Sequence, residues 1–169
     1  GAANDLHLIG CAYRDLKRYD EAIGSFQEAR ALYKSNKEVI HVARCDQKIA
    51  SCYVELSDGD AALESARKAL DVFETAHDHL RETFALFEYG KAQVLLGKLE
   101  EGLDSLDTVL QTATEEDPKD FEFIVDIESR MSSVMRTLGR DKEADEIERR
   151  LASVKDAMIE DTNNEEERA

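Results

Sequence analysis

Apolar residues recur along the chain at spacings of three and four, the period of one face of an α-helix. One such run extends from Leu6 to Leu16, and a second extends from Tyr19 to Leu32 after a polar break. The same alternation continues along the rest of the sequence. It predicts an all-α fold with eight helices, over residues 4–17, 20–35, 38–57, 60–77, 79–97, 100–114, 118–138 and 141–159.

The helical pattern itself repeats. Four short segments that begin at Leu16, Leu56, Leu96 and Leu138 align with one another. Each segment ends in a small residue, at positions 22, 62, 102 and 144, so the spacings are 40, 40 and 42 residues. A fixed period indicates stacked helix-turn-helix units. We expect the small residues to lie where the two helices of a unit cross, because a bulky side chain would hold them apart.

Residues at the predicted helix ends agree with this organisation. Gly97 and Gly139 suit the left-handed position that ends a helix, and Pro118 suits the first turn of one. Acidic residues such as Asp20 and Asp58 follow the turns, where free N–H groups favour anions. We predict one domain over 1–159, with repeats at about 3–37, 38–78, 79–115 and 118–159, and a polar, disordered tail over 160–169.

Composition narrows the classes of fold and partner. The 169 residues include one Pro, eight Gly and no Trp, too little turn chemistry for a sandwich or barrel of many short strands. The formal net charge of -16 argues against nucleic acid or an anionic membrane as a partner. No run approaches 18 apolar residues, so no membrane span is expected.

The three cysteines are an odd number and argue against a disulfide framework. Cys45 and Cys52 are seven residues apart on one predicted helix, too far to bond to each other. We predict that all three, including Cys11, are reduced thiols. Residues 1–5 lack the basic segment and apolar run of a signal peptide, so an intracellular, cytoplasmic location is expected.

The first unit resembles the tetratricopeptide repeat (TPR) family. It reads Ile9-Gly10-x-x-Tyr13, then Tyr19-x-x-Ala22-x-x-x-Phe26-x-x-Ala29. Later units keep parts of this pattern, and the resemblance covers about 3–158. It implies a right-handed superhelical solenoid. The period of 40 to 42 exceeds the common 34 residues and is similar to long-helix variants in scaffold proteins and peptide-sensing regulators, so longer helices or longer inter-repeat loops are expected.

In the family's register, the first helix of each pair lines a concave groove. The peptide-binding residues that this implies are Arg14, Arg44, Gln47, Lys48, Ser51, Phe84, Phe87, Lys91 and Arg136. The same register also places Asn4, His7, Cys11, Val54, Val94, Asp126, Ser129 and Ser133 on this surface. The chaperone-tail clamp of the family is disfavoured, because His7 and Cys11 stand where it needs particular Lys and Asn residues.

The predicted groove is basic although the protein is acidic. Ten acids against two lysines lie between Lys98 and Asp126, outside the groove apart from Asp126 itself. This contrast favours an acidic or amphipathic peptide as the partner, while chance scatter and solubility are the alternative explanation. Phe84 and Phe87 are candidate apolar anchors, unless they pack against the neighbouring repeat. Lys91 and Arg44 are expected on the solvent side of their helices.

No motif predicts catalysis. Cys11 and His7 are neighbours on one helix, but no third residue in reach by sequence orients the imidazole. His41 with Cys45, and His77 with His79, lack the four-ligand spacing of a structural zinc site. There is no phosphate loop or dinucleotide fingerprint. We therefore expect no enzymatic activity, no cofactor and no metal.

The leading hypothesis is a protein-interaction module or adaptor that binds a peptide or helix of another protein. One alternative is a regulatory domain whose repeats change curvature when a peptide or partner binds. Another is a self-associating scaffold whose terminal repeat pairs with a second copy.

Overall fold

The computed structural model describes residues 1–115 and 120–166, and within these ranges every regular element is a helix. There are eight, so the predicted all-α fold class is confirmed. They are α1 Ala2–Asp15, α2 Tyr19–Ser35, α3 Val39–Glu55, α4 Gly59–Thr75, α5 His79–Leu95, α6 Leu99–Glu115, α7 Phe121–Thr137 and α8 Asp141–Glu166.

The chain divides into two compact units, Gly1–Val109 and Leu110–Ala169, and the division falls inside α6. The first unit holds α1 to α5 and most of α6. The second unit holds the end of α6 together with α7 and α8. The single domain over 1–159 accordingly stays a prediction.

In the first unit, one helix and one turn recur every 20 residues, which is half of the 40-residue period. Helices α2 to α6 are each 17 residues long. A residue with positive φ ends five successive helices, at Lys17, Lys37, Ser57, His77 and Gly97. These residues are 20 positions apart, so two helices and two turns make the 40-residue period. In this unit, therefore, the repeat is longer than the common 34-residue form without containing a long loop.

Each turn closes with the same pair of backbone hydrogen bonds. At the end of α1, the N–H of Lys17 donates to the carbonyl of Arg14 at 2.8 Å, and the N–H of Arg18 donates to that of Tyr13 at 2.9 Å. This is the Schellman pattern, which satisfies the last carbonyls of a helix. The next turns repeat it. The chain thus reverses direction in three residues.

Two predicted helix-end glycines are confirmed, and two predicted boundaries move by more than two residues. Gly97 and Gly139 have φ of 75° and 74°. Helix α7 begins at Phe121, later than predicted, and the carboxylate of Asp120 caps it by accepting from the N–H of Phe123 at 3.0 Å. Helix α8 continues to Glu166, beyond the predicted end at 159. Pro118 and residues 167–169 lie outside the described residues.

Small residues allow the helices of the first unit to approach closely. Ala22 and Ala62 are fully buried, as their repeat positions predict. A Cβ added at Gly102 would meet the side chain of Val94 at 2.6 Å and the carbonyl of Gly90 at 3.1 Å. Residues of α2 and α3 build a shared core across the first repeat boundary, with Phe26 and Ile49 in one cluster.

The second unit has its own apolar contact between α7 and α8. The buried residues Ile127 and Met131 lie on α7, and Ala144, Ile147 and Leu151 lie on α8. Arg150 pairs with the buried Glu128 at 2.5 Å. The alternation of apolar and charged positions therefore places one face of each helix in this contact.

Candidate functional site

The surface implied by the resemblance lies on α1, α3 and α5 in the first unit. Helix α3 packs against both α1 and α5, so the three helices can present side chains side by side. Arg14 on α1 and Arg44, Gln47, Lys48 and Ser51 on α3 are half-buried. Half-buried side chains retain access to solvent and to a ligand while the helices fix their stems.

Three cations form the centre of this surface, and we call Arg14, Arg44 and Lys48 the basic surface. Burial lowers the pKa of Lys48, and the charges of Arg14 and Arg44 lower it further, because like charges close together disfavour the charged form. Arg14 donates to Asp15 at 3.0 Å. Within the described residues, Arg44 and Lys48 have no ion-pair partner. Their charge is left to interact with an anion from outside.

Lys91 differs from the prediction. It was expected on the solvent side of α5, but it is only 7% exposed. Its Nζ lies 2.7 Å from Oε2 of the buried Glu88 and 4.5 Å from the centre of the Phe87 ring. Partners on its own helix therefore hold the ammonium away from solvent. Lys91 is not available to a ligand, and Glu88 is a nearby group that sequence reasoning missed.

The two predicted apolar anchors differ in exposure. Phe87 is 5% exposed, and its ring lies under the ammonium of Lys91. This burial does not suit an exposed anchor for a partner. Phe84, one turn earlier on α5, is half-buried. Of the two rings, only that of Phe84 presents part of its surface to solvent.

His7 was placed on the surface but is buried at 5% exposure. Its Nδ1 lies 3.6 Å from the sulfur of Cys45, and its ring meets Phe26 edge-on at 5.3 Å between ring centres. Burial lowers the pKa of His7 to about 4, and the charges of Arg44 and Lys48 contribute in the same direction. At neutral pH this side chain is an uncharged core residue beneath the basic surface.

All three cysteines are free thiols, as predicted. Burial raises the pKa of Cys45 to about 12 and that of Cys52 to about 11, which makes both poor nucleophiles at neutral pH. Among the side chains that the structure describes, those of residues 1–115 and 120–153, no three His, Cys, Asp or Glu residues gather in a group that could hold a metal ion.

Arg136 belongs to the second unit and has partners there. Its Nη2 donates to Asp145 at 2.6 Å and to Glu148 at 2.7 Å. Asp126, on the same helix, accepts from Arg130 at 2.9 Å. The prediction counted Arg136 as a free positive charge of the groove. Because neighbouring carboxylates already neutralise it, Arg136 supplies no unpaired positive charge.

In the described part of the chain, no helix is both long enough and apolar enough to cross a membrane.

No curated protein sequence is significantly similar to the chain. Solved structures, in contrast, share its architecture. BtubC (BKLC) from P. vanneervenii matches with a TM-score of 0.79 at 16% identity, over 93% of this chain and 64% of that one. The fold is therefore that of the helical-repeat class.

Two further structures agree on the fold. A Rap protein complexed with competence and sporulation factor matches with a TM-score of 0.78 at 19% identity, over 88% of this chain and 42% of that one. The first TPR of Spaghetti (RPAP3), bound to the HSP90 peptide SRMEEVD, matches with a TM-score of 0.61 at 22% identity, over 82% and 96%. The chain thus spans less than two thirds of the BtubC and Rap chains.

The family profile of the tetratricopeptide repeat matches residues 3–36, the first helix pair and the turn that follows it. This is the segment in which the sequence pattern is most complete. Residues 3–36 therefore match a tetratricopeptide repeat, and the chain shares the fold of solved TPR-like helical-repeat proteins.

Proposed function

We propose that the chain is a protein-interaction module that binds an acidic segment of a partner protein on the basic surface. The observation that carries the proposal is the cluster of Arg14, Arg44 and Lys48, in which Arg44 and Lys48 have no acidic partner among the described residues. In a protein of net charge -16, such cations are expected to be neutralised by the many available carboxylates. A surface that keeps them unpaired is suited to an external anion.

One of the similar structures supports a peptide as the ligand. The Spaghetti structure contains the peptide SRMEEVD, which has three acidic residues. The ring of Phe84 is half-buried on α5, a helix that packs against α3, and it offers apolar contact, so an amphipathic acidic segment suits this surface better than a purely charged one.

The experiment measures fluorescence anisotropy of a labelled ten-residue peptide composed of Glu and Leu. Arg44→Glu with Lys48→Glu should weaken binding at least tenfold, because both changes replace attraction by repulsion. The matched control, Lys98→Glu with Lys142→Glu, makes the same change in net charge at exposed positions outside the surface and should bind like the unmodified protein. Equal binding by the two variants, or no binding by the unmodified protein, would contradict the proposal.

The alternative function, a regulatory domain, requires a conformational change in addition to binding. If the chain is a sensor domain, the same peptide must also change the distances between helices. A pair of spin labels on exposed positions of α2 and α4, measured with and without the peptide, separates a rigid adaptor from a sensor.

A further inference from the structure

A second cationic site lies in the first unit, in a pocket of about 430 Å³ between α2, α3 and α4. On α3 it uses Val39, Val42 and Asp46. At 100° per residue, these positions lie on the opposite side of the helix from Arg44 and Lys48. The pocket is therefore separate from the basic surface. We call it the outer pocket.

Cations dominate the lining of the outer pocket. Arg30, Lys34, Lys37 and Lys68 face two acids, Glu38 and Asp46. The surplus of two positive charges is unexpected on a protein of charge -16. An anionic ligand would balance this surplus.

The two acids of the pocket have structural partners. Asp46 is 5% exposed, and its Oδ1 accepts from Nη1 of Arg30 at 2.6 Å, which fixes the guanidinium at the pocket. Glu38 accepts from the side-chain amide of Asn36 at 3.1 Å and lies 3.4 Å from His41. Neither carboxylate forms a described ion pair with Lys34 or Lys37.

The lysines differ in how strongly they are engaged. Lys68 pairs at 2.5 Å with Glu64, an exposed residue that is outside the pocket lining. Lys34 and Lys37 are exposed and form no ion pair with any residue that the structure describes. These two ammonium groups supply the unneutralised charge.

The start of α3 adds to the positive potential. Glu38 is the N-cap residue, but its side chain accepts no hydrogen bond from the first turn. In α4 and α5, by contrast, Asp58 and Asp78 cap the first turn with their carboxylates. The first turn of α3 therefore keeps partial positive charge at the pocket, unlike the capped first turns of α4 and α5.

We propose that the outer pocket binds a phosphate monoester. At neutral pH this group carries about -1.5 to -2 charges and three acceptor oxygens, which suits the two ammonium groups of Lys34 and Lys37 better than a single carboxylate does. The fork of Arg30 suits bidentate contact with phosphate oxygens. Val39, which is 57% exposed, and Val42 offer apolar contact to the carbon chain that bears the phosphate. The pocket volume is within the range of small-ligand sites, about 300–1,000 Å³.

The test uses isothermal titration calorimetry with three probes, which are inorganic phosphate, a phosphoserine peptide with Leu on either side, and the same peptide unphosphorylated. The full chain should bind at least one phosphorylated probe and should not bind the unphosphorylated peptide. Tighter binding of the phosphoserine peptide identifies a protein partner as the source of the phosphate. Equal binding of inorganic phosphate identifies a small phosphorylated molecule.

Variants locate the site. Lys34→Gln with Lys37→Gln should weaken phosphate binding at least tenfold, whereas Lys17→Gln with Lys98→Gln removes the same charge at exposed positions elsewhere and should leave it unchanged. Circular dichroism verifies that both variants keep their helices. Equal loss in the two variants, or no binding of either phosphorylated probe, would overturn the proposal. Arg44→Glu with Lys48→Glu should retain phosphate binding, so the two proposals fail independently.

Discussion

Lys17, Lys37, Ser57 and His77 hold a backbone conformation that side chains disfavour. Their φ values lie between 53° and 62°, in the left-handed region, which costs a residue with a Cβ roughly 1–2 kcal/mol. Glycine occupies the equivalent positions 97 and 139 without this cost. The first unit therefore stores strain in each of its first four turns, and the strain is offset by the hydrogen bonds that close the turn.

Relief of this strain is measurable at Ser57. Ser57→Gly should stabilise the protein by about 0.5–1 kcal/mol, because the gain in the left-handed turn exceeds the entropy that glycine adds to the unfolded chain. Gly97→Ala, at the equivalent turn, should destabilise it by about 1 kcal/mol. Urea unfolding followed by far-UV circular dichroism checks both. A destabilising Ser57→Gly would show that the side chain makes a compensating contact.

The same residues limited what could be predicted from the sequence. The 40-residue period was visible because small residues recur at one helix crossing. The 20-residue half-period was not visible, because its marker is a backbone conformation held by Lys, Ser, His or Gly in different turns. Lys and His carry no sequence signal for a left-handed turn.

At the scale of elements, the apolar period predicts the bounds of the helices well. It predicts less well which side chains of each helix are buried. Helices α2 to α6 begin and end within two residues of prediction. The groove-facing residues of α5, however, were predicted from the register of the TPR family, and two of them, Phe87 and Lys91, are buried. A charged residue normally indicates a solvated face, but here Glu88 pairs with Lys91 and compensates its burial. That partner becomes apparent only in three dimensions.

Two glycines of the first repeat test the packing of α1 on α2. A Cβ at Gly10 would lie 2.7 Å from the ring of Phe26, which is fully buried, whereas one at Gly24 would meet nothing within 4 Å. Gly10→Ala should therefore cost about 1–3 kcal/mol through overpacking. Gly24→Ala, inside α2, should stabilise by about 0.5–1 kcal/mol through helix propensity. Similar unfolding midpoints in urea for the two variants would contradict this account of the crossing.

At the scale of the whole molecule, charge is distributed unevenly. The chain carries 38 acidic and 22 basic side chains, yet unpaired cations of the first unit lie on two opposite sides of α3. Arg44 and Lys48 are on α3 itself, and Lys34 and Lys37 line the outer pocket. The net negative charge repels polyanions at a distance, while the local cations attract an anion that has come close. Such a distribution favours short, specific acidic ligands over nonspecific contact with nucleic acid, and raised salt should weaken both proposed interactions.

The buried His7 makes the stability of the whole chain depend on pH. Burial and the nearby cations lower its pKa from 6.5 to about 4 in the folded state, so the unfolded chain binds more protons between these values. Stability from this residue is thus fully present above pH 6.5 and is lost as pH falls towards 4. With allowance for solvent screening, the loss between pH 7 and pH 5 is about 1–2 kcal/mol.

His7→Leu removes the titrating group while keeping an apolar side chain against Phe26. The difference in unfolding free energy between pH 7 and pH 5, measured by urea titration, should be about 1–2 kcal/mol smaller in His7→Leu than in the unmodified protein. His79→Leu changes a histidine whose side chain is 80% exposed and serves as the control, which should keep nearly the full difference. If both variants retain the same pH dependence, folding does not lower the pKa of His7, and the cations of the basic surface do not act on it as described.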